Sequence, residues 1–177
     1  MSWADHIKKG KLIEDEFAEN LKDVVKATTK QDVYEHWDVE GTLRGKRLRF
    51  DVKDMKKFNR KDAEAQDEMA CVEYVGISGH PGWVRGKADA IAFKRKESSW
   101  LVVDRQSLWY MIKKKLWERY HSKSKRTQYA KVPYFTYDRS IYGKKDKFCW
   151  VPYPDIEKLF GLKITNSHNK GSRYDNT

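Results

Sequence analysis

Two carboxylates and a lysine stand at a spacing that chemistry can use. Asp51 and Lys53 are two residues apart in Arg47-Leu48-Arg49-Phe50-Asp51-Val52-Lys53. In a strand, positions i and i+2 face one side. The acid and the base therefore project together, while Phe50 and Val52 turn into a core. Asp38 precedes them in His36-Trp37-Asp38-Val39, and Gly41 and Gly45 mark a turn between. A hairpin thus brings Asp38 alongside Asp51. Glu14 offers a third acid, at the edge of an apolar helical stripe formed by Ile13, Phe17, Leu21 and Val24. Three carboxylates near one point repel, and one of them tends to hold a proton. A divalent cation removes that conflict, and oxygen-only ligands suit Mg²⁺ or Mn²⁺, not zinc. The predicted ligands are Asp38, Asp51, Glu14 and the backbone carbonyl of Val52. A metal held this way activates water and orients a phosphodiester. Lys53 either positions or deprotonates the attacking water, or stabilises transition-state charge; spacing alone does not separate the two roles.

The elements that must position these groups follow from periodicity. A helix is expected over about Asp5 to Ala27, with acids crowding its first turns. Thr28 to Asp32 reads as a polar connector. Strands are expected over Val33–Val39, Leu48–Lys53, Met69–Val75, Ala90–Lys94 and Trp100–Val103. A second helix follows from about Arg105 to Tyr120, on Leu108, Ile112 and Leu116. His121 to Arg126 reads as a basic linker. A late hairpin pairs Val132–Tyr137 with Phe148–Val151. A short helix runs from Pro154 to Phe160 and is closed by Gly161. The expected fold is α/β, in the α+β sense: a mixed central sheet of about five strands flanked by helices, with a C-terminal extension. Residues 1–120 form the core, 121–165 a hairpin and helix packed on it, and 166–177 a polar tail.

The formal charge of +11 over 177 residues favours a polyanionic partner, nucleic acid first. Candidate phosphate contacts are Arg44, Lys46 and Arg47 in the turn between the acidic strands, and Lys56 and Lys57 after the second. The cluster Lys113, Lys114 and Lys115 joins them, with Arg119, Lys123, Lys125 and Arg126 beyond. The plainer account of each run is a solvated face. No apolar run is long enough to cross a membrane, and no apolar leader opens the chain, so a cytoplasmic location is expected, or the host cytoplasm for a virus or mobile element. Cys71 and Cys149 read as reduced thiols, not a disulfide framework.

The pattern resembles the PD-(D/E)XK nuclease superfamily. Asp38 matches its first Asp, with Trp37 in place of the usual proline, and Asp51-Val52-Lys53 matches its (D/E)XK element. Gly10-Lys11-Leu12-Ile13-Glu14-Asp15-Glu16-Phe17 is similar to the first-helix motif of archaeal Holliday junction resolvases, which selects Glu14 over Glu16. The resemblance covers roughly residues 10 to 104. It implies a restriction-endonuclease-like fold and a Mg²⁺-dependent deoxyribonuclease acting on duplex or branched DNA, structure-selective in the junction-resolvase manner. It also implies a homodimer. The alternatives are a catalytically silent nucleic-acid-binding or protein-interaction module on the same fold, and a nuclease acting on RNA. Other residues have plainer roles. Glu73 is as well explained by a strand-face ion pair as by the metal site. Asp89 caps a turn and Asp104 caps the second helix. His36 lines the core or supports Asp38, and Trp83 either packs on the sheet or stacks on a base.

Overall fold

The computed structural model describes residues 3–58, 61–76, 79–116, 132–141, 144–159 and 161–165. The chain opens with α1 (Trp3–Ala18), β1 (Lys22–Lys26) and α2 (Thr29–Glu35). A hairpin of β2 (Val39–Leu43) and β3 (Lys46–Lys53) follows, then β4 (Met69–Val75) and a 3-10 turn at Trp83–Arg85. Next come β5 (Ala90–Lys94), β6 (Ser99–Asp104) and α3 (Arg105–Lys115). The last described elements are β7 (Tyr137–Ile141), β8 (Lys144–Pro152), α4 (Tyr153–Glu157) and β9 (Gly161–Thr165). The architecture is α+β. A six-stranded mixed sheet runs β1-β2-β3-β5-β6-β9, and β3 and β5 are its parallel pair. A second, antiparallel sheet runs β4-β8-β7.

Both faces of the large sheet are covered, and period-two alternation sorts its side chains between them. On one face, Phe50 and Val52 of β3 join Ala90, Ala92, Trp100 and Val102 under α1. Phe17 of α1 is fully buried there, its ring 5.1 Å from Phe50 and 5.0 Å from Trp100, both edge-on. On the other face, Ile91, Phe93, Leu101 and Val103 meet Val72 of β4, Val151 of β8, Leu108 and Ile112 of α3, and Ile156 of α4. Asp51 and Lys53 point to this second face, in register with Ile91 and Phe93.

Several expectations are corrected. The first helix ends at Ala18, not near Ala27. The Asn20 side chain donates to the Phe17 carbonyl at 3.0 Å and satisfies an orphan acceptor of the last turn. Val24 and Val25 then form an exposed edge strand, as suits β-branched residues, instead of extending the buried stripe. Residues 29–35 are helical, not connector and strand. Thr28 and Gln31 make a reciprocal capping box: the Gln31 amide donates to Thr28 Oγ1 at 3.3 Å and the Thr28 amide to Gln31 Oε1 at 2.9 Å.

The third expected strand exists, but β4 sits in the second sheet because its partner is β8. The late hairpin forms with β7 starting at Tyr137, which pairs with Phe148. Gly161 opens a strand, β9, that completes the large sheet beside β6. The segment after residue 120 therefore contributes strands to both sheets. The expected helix end at 117–120, the basic linker and the tail from 166 lie outside the described residues. No helix among the described residues is long and apolar enough to cross a membrane.

Candidate active site

The β2–β3 hairpin builds the centre. Val39 pairs with Phe50, so Asp38, one residue before β2, lies beside Asp51. The Asp38 amide donates to the Phe50 carbonyl at 2.8 Å, which continues the ladder to the site. Its carboxylate Oδ2 accepts the Val52 amide at 2.6 Å. The N–H and C=O of one strand residue point to the same side of the strand, so the Val52 carbonyl is directed to the Asp38 side as well.

Asp51 is 1% exposed and Asp38 9%. The two carboxyls lie side by side across the hairpin, each in the other's field. Burial, with Asp38 adding to it, pushes Asp51 well above the usual carboxylate range, although Lys53 pulls the other way. Lys53 Nζ is ion-paired with Asp51 Oδ1, while the buried Oδ2 has no donor. Burial opposes the charge on Lys53, but Asp51 and Asp38 outweigh it and hold the ammonium above its ordinary value. The ammonium also lies over the Trp83 ring, 5.1 Å from its centroid. Trp83 is buried in the core beneath Lys53, so the packing role predicted for it is the observed one.

Glu14 reaches the rim from α1. Burial first, then the charge of Asp38, pushes it up to about 6, with Lys26 and Lys53 partly offsetting the rise. Glu16 is turned elsewhere and ion-paired with Lys94 of β5. Asp32 of α2 was not anticipated. Burial, then Asp38, raises its pKa, and Lys53 opposes this, which puts a fourth acid in the field of the site. The capping box was the available signal: Thr-x-x-Gln before Asp32 starts a helix whose next turn ends at His36. His36 closes α2 in a left-handed conformation, φ 55°, and donates to the Pro81 backbone. Burial and Lys53 hold its imidazole below the usual range.

The residues fit a hard divalent cation at their centre and less completely at the rim. Two neighbouring buried carboxylates repel unless a proton or a cation answers them, and the donorless Asp51 Oδ2 is an available oxygen ligand. Among the described residues, no three His, Cys, Asp or Glu side chains converge tightly enough to hold an ion. Asp38 and Asp51 therefore form the inner pair, with Glu14 outside it. Such a two-carboxylate site suits Mg²⁺, which keeps several waters and completes its shell from substrate phosphate.

The predicted phosphate contacts divide. Lys56 stands beside Lys53 on a cavity of about 240 Å³. Lys57 is occupied in its own loop, donating to the carbonyls of Asp62 and Ala63 at 2.6 and 2.9 Å. Arg47 pairs with Glu40 at 2.5 Å. Lys115 is held by Asp155 at 3.2 Å and Tyr134 at 3.4 Å, and Lys114 lies over the Tyr110 ring. Lys113 sits in the last turn of α3. Arg44 and Lys46 line a separate groove of about 970 Å³ with Leu43 and Leu48. Both cations stand in or beside the turn between β2 and β3, as expected, several residues along β3 from Asp51. Arg119, Lys123, Lys125 and Arg126 lie outside the described residues. Glu73 lines the cavity beside Lys53. Asp104 caps α3 by accepting the Ser107 amide at 2.6 Å, as expected, and Asp89 bonds Arg49. Cys71 and Cys149 are free thiols.

Compared with known protein families, curated proteins and solved structures, the chain matches none.

Proposed function

We propose that the protein is a metal-dependent endonuclease that hydrolyses DNA phosphodiester bonds, a PD-(D/E)XK-type deoxyribonuclease. The observation that carries this is the buried, neighbouring pair Asp38 and Asp51 with Lys53 ion-paired to Asp51. A pair of acids buried against each other costs stability unless a cation answers it, and a lysine held as an ammonium beside that pair is suited to anionic chemistry. Asp38, Asp51 and the Val52 carbonyl would hold Mg²⁺ or Mn²⁺, which would supply Lewis acidity to the phosphoryl oxygens.

The chain's own groups do the rest. The Val52 amide fixes the Asp38 carboxylate, and Lys53 pins Asp51. The acid neighbours of Lys53 favour its ammonium form, which is suited to stabilising charge on the phosphoryl oxygens in the transition state. Glu14 and Asp32 bring further negative charge to the rim and order water there. Lys56 holds the strand that enters.

The test is cleavage of supercoiled plasmid, four-way branched DNA and matched RNA with Mg²⁺ or Mn²⁺. The parent nicks DNA, and Asp51→Ala and Lys53→Ala each lose at least about 100-fold in rate. Undiminished cutting by either variant overturns the assignment. Salt-sensitive DNA binding without cleavage under either metal supports the silent binding module instead.

A further inference from the structure

Lys53 ends β3, and its ammonium is held from two sides. Asp51 Oδ1 takes it in an ion pair, and the Trp83 ring lies under it, 5.1 Å from Nζ to the ring centroid. The lysine side chain is 26% exposed, so little water is left to complete its solvation. The face of an indole attracts a cation through its quadrupole, most strongly where water is excluded. A further carboxylate in that place would add negative charge to a site that already holds Asp38 and Asp51. The indole adds none.

The ring is itself fixed. Trp83 is buried and meets Phe93 edge-on, with centroids 6.1 Å apart. Phe93 is the β5 residue in register with Lys53. The 3-10 turn that carries Trp83 is tied to β4. The Gly82 amide donates to the Tyr74 carbonyl at 3.2 Å, and a Cβ on Gly82 would stand 2.5 Å from the Glu73 carbonyl oxygen. The Arg85 and Gly86 amides close the turn on the Gly82 and Trp83 carbonyls at 2.8 and 2.9 Å. A lysine stem is flexible; this ring is not free to follow it.

We propose that Trp83 is a positioning residue for the reaction: its indole face fixes the Lys53 ammonium beside Asp51 and acts on catalysis through Lys53 alone. This rests on the nuclease reading above, in which Lys53 meets charge on the phosphoryl oxygens. A freely turning lysine loses rotamer entropy when it is ordered in the transition state. Ring and carboxylate order it in advance, and that kind of preorganisation lowers the barrier to the chemical step. Loss of the ring therefore lowers kcat more than it raises KM.

The first test needs no cleavage. In protein with ¹³C-labelled lysines, the ε-methylene protons of Lys53 are identified by their absence in Lys53→Ala. They are expected upfield of the other lysines, because the adjoining ammonium lies over the indole face. Trp83→Leu returns them to the common position, and Trp83→Phe, with a smaller ring, leaves them between. The second test is cleavage of plasmid with Mg²⁺. Trp83→Leu is expected to lose about tenfold in kcat with KM within about twofold of the parent, and Trp83→Phe to recover to within about threefold. In the Lys53→Ala background Trp83→Leu costs nothing further, since residues that act as a unit are not additive. Trp83→Phe carried through the same cycle serves if Trp83→Leu does not fold. A tryptophan that only packs gives another result: kcat falls equally with and without Lys53, or does not fall. Either outcome overturns the proposal, as does a Lys53 resonance at the common position in the parent. A parent that cuts nothing overturns the nuclease reading, while the resonance still decides whether Trp83 holds Lys53.

Discussion

At the scale of single residues, the central question is what balances Asp38 and Asp51. Both are buried and adjacent, and Lys53 supplies one positive charge for the two. If a divalent ion supplies the rest, it binds the folded state alone and stabilises it. At a hundred times its dissociation constant the gain is about 2.7 kcal/mol, or a rise in Tm of several degrees for a domain of this size. The expected outcome is that Mn²⁺ or Mg²⁺ raises the parent's Tm over an EDTA control and leaves that of Asp51→Asn unmoved; differential scanning fluorimetry reads both. An equal rise in the variant removes Asp51 from the ion. Asp38, Asp51 and Lys53 are legible in the sequence because strand period and hairpin turn are local signals. Asp32 is not, because its nearness to Asp38 depends on a short helix folding back along the hairpin. The occupied state of Lys57 and Arg47 is equally hidden, since each is spent on a neighbour that only the folded chain brings within reach.

At the scale of elements, α2 is the piece that sets the approach of Asp38 to the sheet. It has no buried residues of its own, so its position depends on what it touches. The Lys87 amide donates to the Glu35 carbonyl at 2.6 Å. A Cβ at Gly86 would stand 2.6 Å from His36 Cβ and 2.8 Å from the Glu35 carbonyl oxygen. Gly86→Ala therefore forces the end of α2 away. The expected cost is about 1–3 kcal/mol of stability, together with loss of the metal-induced rise in Tm, because Asp38 follows His36 by two residues. A second element-level tie is α4. The Tyr134 hydroxyl donates to Asp155 at 2.6 Å. That bond, against the effect of burial and with help from Lys158 and Lys115, holds Asp155 down at about 2. A carboxylate with a depressed folded pKa stabilises above its unfolded value and loses that contribution as pH falls through the folded one. Asp155→Asn is thus expected to lose about 1–2 kcal/mol at pH 6, a deficit that closes between about pH 4 and pH 2. Urea denaturation at several pH values measures it. The sequence places these helices only in part: α3 and α4 start where caps and proline say they do, but β9 escapes because Gly161 reads locally as a helix stop, and only its pairing with β6 makes it a strand.

For the whole molecule, basic side chains stand beyond or near both ends of β3. Lys56 lies at the end that carries Asp51, and Arg44 and Lys46 at the other. At 3.3–3.4 Å per residue, Lys46 and Asp51 are about 17 Å apart along the strand, roughly half a turn of duplex DNA. A nucleic acid that fills only the Asp51 end does not reach Arg44; one that extends along the hairpin does. With Asp51→Asn as a cleavage-dead background, the logarithm of DNA affinity is expected to fall linearly with the logarithm of salt. Lys56→Gln should lower that slope by about one on substrates of any length. Arg44→Gln combined with Lys46→Gln should lower it by about two on a 20-base-pair duplex and leave a five-nucleotide strand unaffected. Fluorescence anisotropy over a salt series separates these outcomes. A length-independent effect of the Arg44 and Lys46 pair would mean that the strand enters from the groove end, and a null effect at all lengths would leave that groove to another ligand. The paired result ties the direction of the bound strand to the direction of β3, and so identifies which side of the cut phosphate meets Lys56.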